Sequence, residues 1–132
     1  MRDSMSIKSR RLRVLVVDDE RDTLMTLGIL LRSEGMVVRL AACGAEVAAA
    51  VAEFRPDAIV LDIGMPDRSG LQVALELARD HGSKCPVLIA VTAHSGEAAR
   101  RLTAKSGFRR HIAKPYDPDA LLELVASIEP RD

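Results

Sequence analysis

The chain has 132 residues, 48% of them hydrophobic, which fits one globular domain with no room for a second. Its 19 basic and 19 acidic residues give a net charge of zero, and aromatic residues make up only 2%, so we expect no direct binding to nucleic acid. No apolar run approaches the length of a membrane span and no apolar signal segment opens the chain, so we expect a cytoplasmic protein without membrane contact.

The first residues and the cysteines carry little chemistry. Residues 1–11 are polar and basic, which predicts a flexible N-terminal arm, with contact to an anionic partner as the alternative. The predicted domain covers residues 12–129, and residues 130–132 form a short tail. Cys43 and Cys85 lie far apart, in a spacing typical of neither metal sites nor redox sites, so we expect two reduced structural thiols.

From Leu12 onward, short apolar segments alternate with segments of helical periodicity. In chain order we predict strand Leu12–Val17, helix 21–34, strand Met36–Ala41, helix 45–54, strand Asp57–Leu61, helix Ser69 to about His81, strand Pro86–Val91, helix 95–106, strand Phe108–Ala113 and helix 118–128. The spacing of apolar residues also predicts which helix faces are buried. In the third helix it places Leu71, Leu75 and Ala78 on the buried face.

The alternation of strands and helices predicts the fold. Continuous apolar strands between amphipathic helices indicate a parallel sheet covered on both faces. Right-handed crossovers then give an α/β protein with a flavodoxin-like (βα)5 doubly wound sheet, for which 2-1-3-4-5 is the common strand order. In this order the winding reverses between strands 1 and 3, so a ligand crevice is expected at the carboxyl ends of those strands.

Polar residues stand at the strand ends that border this crevice. Asp18 and Asp19 follow the first strand, Asp62 the third, Thr92 the fourth and Lys114 the fifth. Two like unit charges 4 Å apart repel by about 4 kcal/mol at an effective dielectric of 20, so three converging carboxylates require a cation. Capping of the first helix explains Glu20 or Asp22, but it does not explain the three converging carboxylates. Hard oxygen ligands suit Mg²⁺, and beside an ammonium group they predict a phosphoryl site with Asp62 as the nucleophile.

Four motifs at these strand ends carry a resemblance to a known family. They are VLVVDDE (14–20), IVLDIGMPDRSG (59–70), VTA (91–93) and HIAKPYD (111–117). Over residues 12–128 the chain resembles the receiver domains of bacterial two-component response regulators. Within that family, the segment 107–118 looks most like receivers associated with hybrid sensor histidine kinases.

The resemblance implies how the acidic residues act. Asp62 is the phosphoacceptor, which takes a phosphoryl group from a phosphohistidine of a histidine kinase. Asp18, Asp19, Asp62 and the backbone carbonyl of Gly64 hold Mg²⁺.

The resemblance also implies roles for the residues around the phosphoryl group. Thr92 donates a hydrogen bond to a phosphoryl oxygen, Lys114 pairs with one, and the bond between Lys114 and Pro115 is cis. The positions of Gly64 and His94 affect hydrolysis of the phosphoryl group.

Position 111 departs from the family, which usually carries Tyr or Phe there. Alternation along the fifth strand puts His111 and Ile112 on opposite faces, with Ile112 in the core and His111 toward the fourth helix. We therefore expect His111 to act as a switch residue together with Thr92. A half-exposed histidine without a role is the alternative.

The function implied is a phosphorylation-controlled signalling switch, not an enzyme that turns over another substrate, although the domain promotes its own phosphoryl transfer and dephosphorylation. Its expected partners are a sensor or hybrid histidine kinase, or a phosphotransfer protein, and an unknown downstream protein. The face formed by the fourth helix, the fifth strand and the fifth helix is the expected output surface and the candidate surface for a dimer.

Other classes of protein fit the sequence less well. A receiver-like binding module that is not phosphorylated is the main alternative, and the complete set of acidic residues with Thr92 and Lys114 argues against it. A phosphatase of the haloacid dehalogenase type would need an aspartate where Gly64 stands. A flavodoxin would need a loop rich in serine and threonine where the acidic segment 18–22 follows the first strand.

Overall fold

The computed structural model describes residues 10–94 and 96–130. Most of the predicted arm, residues 1–9, and residues 131–132 of the predicted tail lie outside the described residues. Five parallel strands form one sheet in the order β2-β1-β3-β4-β5, which confirms the predicted topology. The strands are β1 Arg13–Val17, β2 Val37–Ala41, β3 Ala58–Asp62, β4 Val87–Thr92 and β5 Phe108–Ala113.

A helix follows each strand, as predicted. The helices are α1 Arg21–Ser33, α2 Val47–Phe54, α3 Gly70–His81, α4 Glu97–Lys105 and α5 Pro118–Ala126. Short 3-10 turns at Gly44–Glu46 and Gly82–Lys84 precede α2 and follow α3, respectively, so the helix predicted over 45–54 begins with a 3-10 turn. No helix in the described part of the chain is long and apolar enough to cross a membrane.

The sheet separates two apolar clusters. One cluster joins the sheet to α2 and α3, and the other joins it to α1 and α5. The predicted buried face of α3 was wrong for Leu75 and Ala78, which are exposed, whereas Val73, Ala74 and Leu77 are buried. The helix has apolar residues around more than one face, so periodicity alone does not decide which of them meets the sheet.

The start of the domain is attached to the sheet by an ion pair. Arg10, which the sequence placed in the arm, donates two hydrogen bonds to Asp57, at 2.6 and 3.0 Å. The backbone N–H of Arg13 donates a third bond to the same carboxylate, at 2.8 Å. Asp57 directly precedes β3 and is buried, so this contact lies at the amino-terminal edge of the sheet.

Candidate functional site

The three carboxylates predicted to converge lie together at the carboxyl edge of the sheet. Asp18 and Asp19 follow β1 and Asp62 ends β3, and one carboxylate oxygen of each lies within 4.8 Å of the others. Asp18 and Asp62 are buried, whereas Asp19 is exposed to solvent. The group therefore has two fixed members in the crevice and one at its open side.

Asp18 is held by the turn that enters α1. Its Oδ1 accepts a hydrogen bond from the backbone N–H of Glu20 at 2.9 Å, and its own N–H donates to the carbonyl of Ala41 at 3.2 Å. Burial raises the pKa of the Asp18 carboxyl, and the charge of Asp62 adds to this, although the Glu20 N–H and Lys114 oppose it. Burial is thus the main cause of the shift, and the nearby negative charge of Asp62 adds to it.

Asp62 has its two carboxylate oxygens in different surroundings. Oδ1 accepts a hydrogen bond from the backbone N–H of Gly64 at 3.0 Å, while Oδ2 lies 3.4 Å from Nζ of Lys114. The start of α3 packs closely against the backbone of Asp62: a Cβ at Gly70 would lie 2.6 Å from the carbonyl oxygen of Asp62. A glycine at position 70 thus permits the close approach of helix and strand.

Lys114 is the cation of this edge. Its Nζ lies 3.4 Å from Asp62 and 3.8 Å from Asp18, and a cis peptide bond joins it to Pro115. Burial lowers the pKa of Lys114, but the two carboxylates outweigh this and leave the pKa above its usual value. Lys114 therefore stays protonated and offsets part of the charge of the two aspartates.

Thr92 lies at the end of β4, one residue past the position that pairs with Asp62 in the sheet. Its side chain is buried and its Oγ1 accepts a hydrogen bond from the backbone N–H of His94 at 3.1 Å. Its carbonyl accepts from the N–H of Lys114 at 2.7 Å. The ends of β4 and β5 are therefore joined directly beside the carboxylates, and His94 is exposed at the rim.

His111 is half-buried in β5. It pairs with Ala90 of β4, which belongs to the cluster under α2 and α3, whereas Ile112 belongs to the opposite cluster. An irregularity in the β4–β5 register puts Phe108 on the same side as His111, which simple alternation does not predict. Nε2 of His111 is buried and has no hydrogen-bond partner among the described residues.

Two residues near this edge were not predicted as site residues. Asp67 accepts hydrogen bonds from the backbone N–H groups of Gly44 and Ala45, both at 3.1 Å, and the Gly44 bond chiefly lowers the pKa of its carboxyl. These bonds tie the loop after β3 to the turn before α2. No local sequence pattern indicates this contact, because the residues are more than twenty positions apart.

Tyr116 is the other such residue. Burial raises the pKa of its phenol, and the charges of Asp18 and Asp62 raise it further. It lines a cavity of about 590 Å³ with Glu20, Thr26 and Lys114. The only feature of the sequence that could have indicated Tyr116 as a site residue is its position directly after Lys114 and Pro115.

Comparison with known proteins gives one family. Residues 14–126 match the response regulator receiver domain. An uncharacterized 14.6 kDa protein of Leptolyngbya boryana is 32% identical over 112 residues, which cover 85% of this chain and 86% of that protein. The transcriptional regulatory protein PrrA of Mycobacterium tuberculosis is 40% identical over 117 residues, which cover 89% of this chain and 48% of PrrA. The chain thus spans most of the first relative but about half of the second.

Solved structures agree with this assignment. The CheY-like receiver domain protein of Methanospirillum hungatei has a TM-score of 0.81 and 25% identity, and the match covers 89% of this chain and 93% of that one. A signal receiver domain of Bermanella marisrubri has a TM-score of 0.79 and 27% identity, over 90% of this chain and 98% of that one.

The chain therefore belongs to the response regulator receiver domain family. It is a domain of two-component signalling, a signalling switch rather than an enzyme that turns over a separate substrate.

Proposed function

We propose that the chain is a phosphorylation-controlled switch in which Asp62 accepts a phosphoryl group from a phosphohistidine. The donor is a sensor or hybrid histidine kinase, or a phosphotransfer protein. The observation that carries the proposal is the carboxylate of Asp62, buried between Asp18 and Lys114 with one oxygen 3.4 Å from the ammonium group. We place this exchange in the cytoplasm, as the sequence predicts.

The donor set at this edge fits Mg²⁺. Three carboxylate oxygens within 4.8 Å of one another are hard ligands, and Asp19 leaves one side open to solvent. After burial, the charge of Asp62 contributes to the raised pKa of Asp18, and a bound cation would offset that charge. Asp18, Asp19, Asp62 and the carbonyl of Gly64 would hold the ion, which when bound neutralises charge on the phosphoryl oxygens.

Asp62, Lys114 and Thr92 have separate roles in the phosphoryl transfer. A carboxylate oxygen of Asp62 forms the new O–P bond while the P–N bond to the donor imidazole breaks, and the electron pair of that bond leaves with the imidazole nitrogen. Lys114 offsets the charge on the phosphoryl oxygens. The hydroxyl of Thr92 donates a hydrogen bond to one of them, since its oxygen already accepts from His94.

Hydrolysis of the phosphoryl group is part of the same proposal. Gly64 and His94 stand beside Asp62 and Thr92, and both are exposed. A Cβ at position 64 would meet only Oδ1 of Asp62, at 3.9 Å, so this rim is open for water to approach. The domain would thus limit the lifetime of its own phosphorylated state.

The residues that would move on phosphorylation indicate where the output surface lies. A phosphoryl group adds about two negative charges, which attract the Thr92 hydroxyl and Lys114. Both residues lead into α4 and β5 and are joined by the 2.7 Å backbone bond. Within α4 only Thr103 is buried, so few contacts hold this helix in place.

We assign signalling to the face formed by α4, β5 and α5, where a downstream protein or a second copy of the chain would dock. His111, whose buried Nε2 has no hydrogen-bond partner in the described part of the chain, would change its surroundings when Thr92 moves.

Phosphorylation tests the first part of the proposal. Acetyl phosphate with Mg²⁺ should add one phosphate to the intact mass of the wild-type protein and none to Asp62→Asn. Asp67→Asn is the matched control, because Asp67 lies in the same loop and accepts only backbone bonds outside the carboxylate cluster. An adduct on Asp62→Asn would contradict the assignment, and no adduct on the wild type would favour a binding module that is not phosphorylated.

Hydrogen exchange tests the output surface. Beryllofluoride with Mg²⁺ should change amide protection in α4 and β5 most strongly. Changes confined to α1 and α2 would contradict the assignment of this face.

A further inference from the structure

A cavity of about 600 Å³ lies at the amino-terminal edge of the sheet, away from the carboxylate cluster. It borders Arg13, at the start of β1, and Asp57, just before β3. Asp57 and Asp62 lie five positions apart on an extended strand, which corresponds to about 16 Å. The two sites therefore occupy opposite ends of the same strand.

The walls of this cavity are basic. Among the described residues, four cationic side chains and one carboxylate line it, so positive charges exceed negative ones by three: these are Arg10, Arg13, Arg55, Lys84 and Asp57. Asp57 is already bound by Arg10 and by the backbone N–H of Arg13. No carboxylate in the described part of the chain pairs with Arg13, Arg55 or Lys84.

Contacts within the wall hold the side chains of Arg10 and Arg13 in place. Nε of Arg13 donates to the carbonyl of Arg55 at 2.9 Å, which leaves its terminal nitrogens for another acceptor. Arg55 ends α2 in the left-handed region, with a φ of 53°, a conformation that usually selects glycine. A guanidinium group thus stands at a position where the backbone alone would favour a residue without a side chain.

We infer that this cavity binds a small anion that carries a pyrophosphate group. Guanidinium groups bind phosphate oxygens through two parallel hydrogen bonds. A ligand with a single carboxylate would neutralise only one of the three excess positive charges. The volume lies in the range of small-molecule sites. Apart from His81, the rest of the wall is apolar and offers a surface for an organic body: Val51, Ala52, Pro56 and Pro86.

The pyrophosphate group has two possible sources, the free anion and a nucleotide, which share the chemistry recognised here. Inorganic pyrophosphate and ADP are therefore both titrated in a calorimeter, in buffer with EDTA. Without Mg²⁺ the carboxylate cluster repels anions, so heat reports the basic cavity alone. Tighter binding of ADP would show that the apolar wall takes part, and equal or weaker binding would identify the free anion as the ligand.

The substitution Arg55→Gly separates binding from folding. It removes one cation and relieves the left-handed conformation, so the melting temperature should not fall while the affinity for pyrophosphate drops about tenfold. Lys84→Gln should weaken binding in the same direction, and binding to the wild type should weaken as NaCl is added. Arg100→Gln, in exposed α4, is the matched control and should bind as the wild type does.

Three results would overturn the inference. One is an unchanged affinity in both Arg55→Gly and Lys84→Gln. Another is an equal loss in Arg100→Gln, which would indicate attraction to charge in general. The third is binding of a six-residue glutamate peptide without binding of pyrophosphate, which would indicate an acidic protein segment as the occupant.

Discussion

The two edges of the sheet are built with opposite charge. At the carboxyl edge, Asp18, Asp19 and Asp62 lie together, and the ammonium group of Lys114 contacts two of them, Asp18 and Asp62. At the amino edge, four cationic side chains of the described residues line the same cavity as the carboxylate of Asp57. A net charge of zero describes neither edge, so ligands must be inferred from where charges lie and not from their sum.

The edges also differ in how well the chain neutralises its own buried charge. Asp57 receives two bonds from Arg10, as short as 2.6 Å, and one from a backbone N–H. Asp62 has one backbone bond and one contact of 3.4 Å to Lys114. The fold therefore stabilises the charge of Asp57. The charge of Asp62 is less well balanced, so its carboxylate remains available for chemistry with outside partners.

The largest effect is expected at the amino edge. Asp57→Ala removes the acceptor of Arg10 and of a backbone N–H, so the free energy of unfolding should fall by about 3 kcal/mol. Unfolding in urea measures it. Asp80→Ala is the control, because Asp80 pairs with Arg79 on the surface and should lose less than about 0.5 kcal/mol. Equal losses in the two variants would mean that the Asp57 contact is not structural.

A comparable effect of opposite sign is expected when Mg²⁺ is added at the carboxyl edge. At a hundred times its dissociation constant, a bound ion should add about 2.7 kcal/mol to the free energy of unfolding. Asp19→Asn should lose most of this gain, whereas Asp22→Asn, an exposed aspartate outside the cluster, should keep it. An undiminished gain in Asp19→Asn would place the ion elsewhere.

A smaller effect distinguishes two of the buried carboxylates, Asp18 and Asp57, in the absence of metal. Since burial and the charge of Asp62 raise the pKa of Asp18, Asp18→Asn should stabilise the metal-free protein by about 1 kcal/mol. Asp57→Asn should destabilise it. Urea unfolding in EDTA compares the two, and a loss of stability in Asp18→Asn would show that its hydrogen bond to Glu20 outweighs the repulsion.

The smallest effect is spectroscopic. Tyr116 is the only tyrosine and the chain has no tryptophan, so the phenolate absorbance band reports one residue. Burial and the nearby aspartates raise the pKa of this phenol above its usual value of about 10. The stability it contributes is complete below that pH and is lost as the pH rises through the higher pKa of the folded state.

The same titration of Asp18→Asn should move the midpoint down toward the usual value, because one of the nearby charges is gone. An unchanged midpoint would leave burial as the whole cause.

The sequence was sufficient for the order of the elements, the strand order and the convergence of the three aspartates. Each depends on local periodicity or on a motif at a strand end, and parallel strands bring such ends together. The bonds of Asp57 to Arg10 and of Asp67 to Gly44 depend on residues brought close only by the fold, and the exposure of Leu75 depends on how α3 meets the sheet. Local patterns carry no signal for these contacts.

Amide NMR of the labelled protein with beryllofluoride and Mg²⁺ tests the phosphoryl switch most directly. The largest shifts should lie at Asp62, Gly64, Thr92 and Lys114, extend into α4 and β5, and disappear in Asp62→Asn. If the wild-type spectrum keeps the amides of Asp62 and Gly64 unchanged at saturating Mg²⁺ and beryllofluoride, Asp62 is not a phosphoacceptor and the carboxyl edge is not the switch.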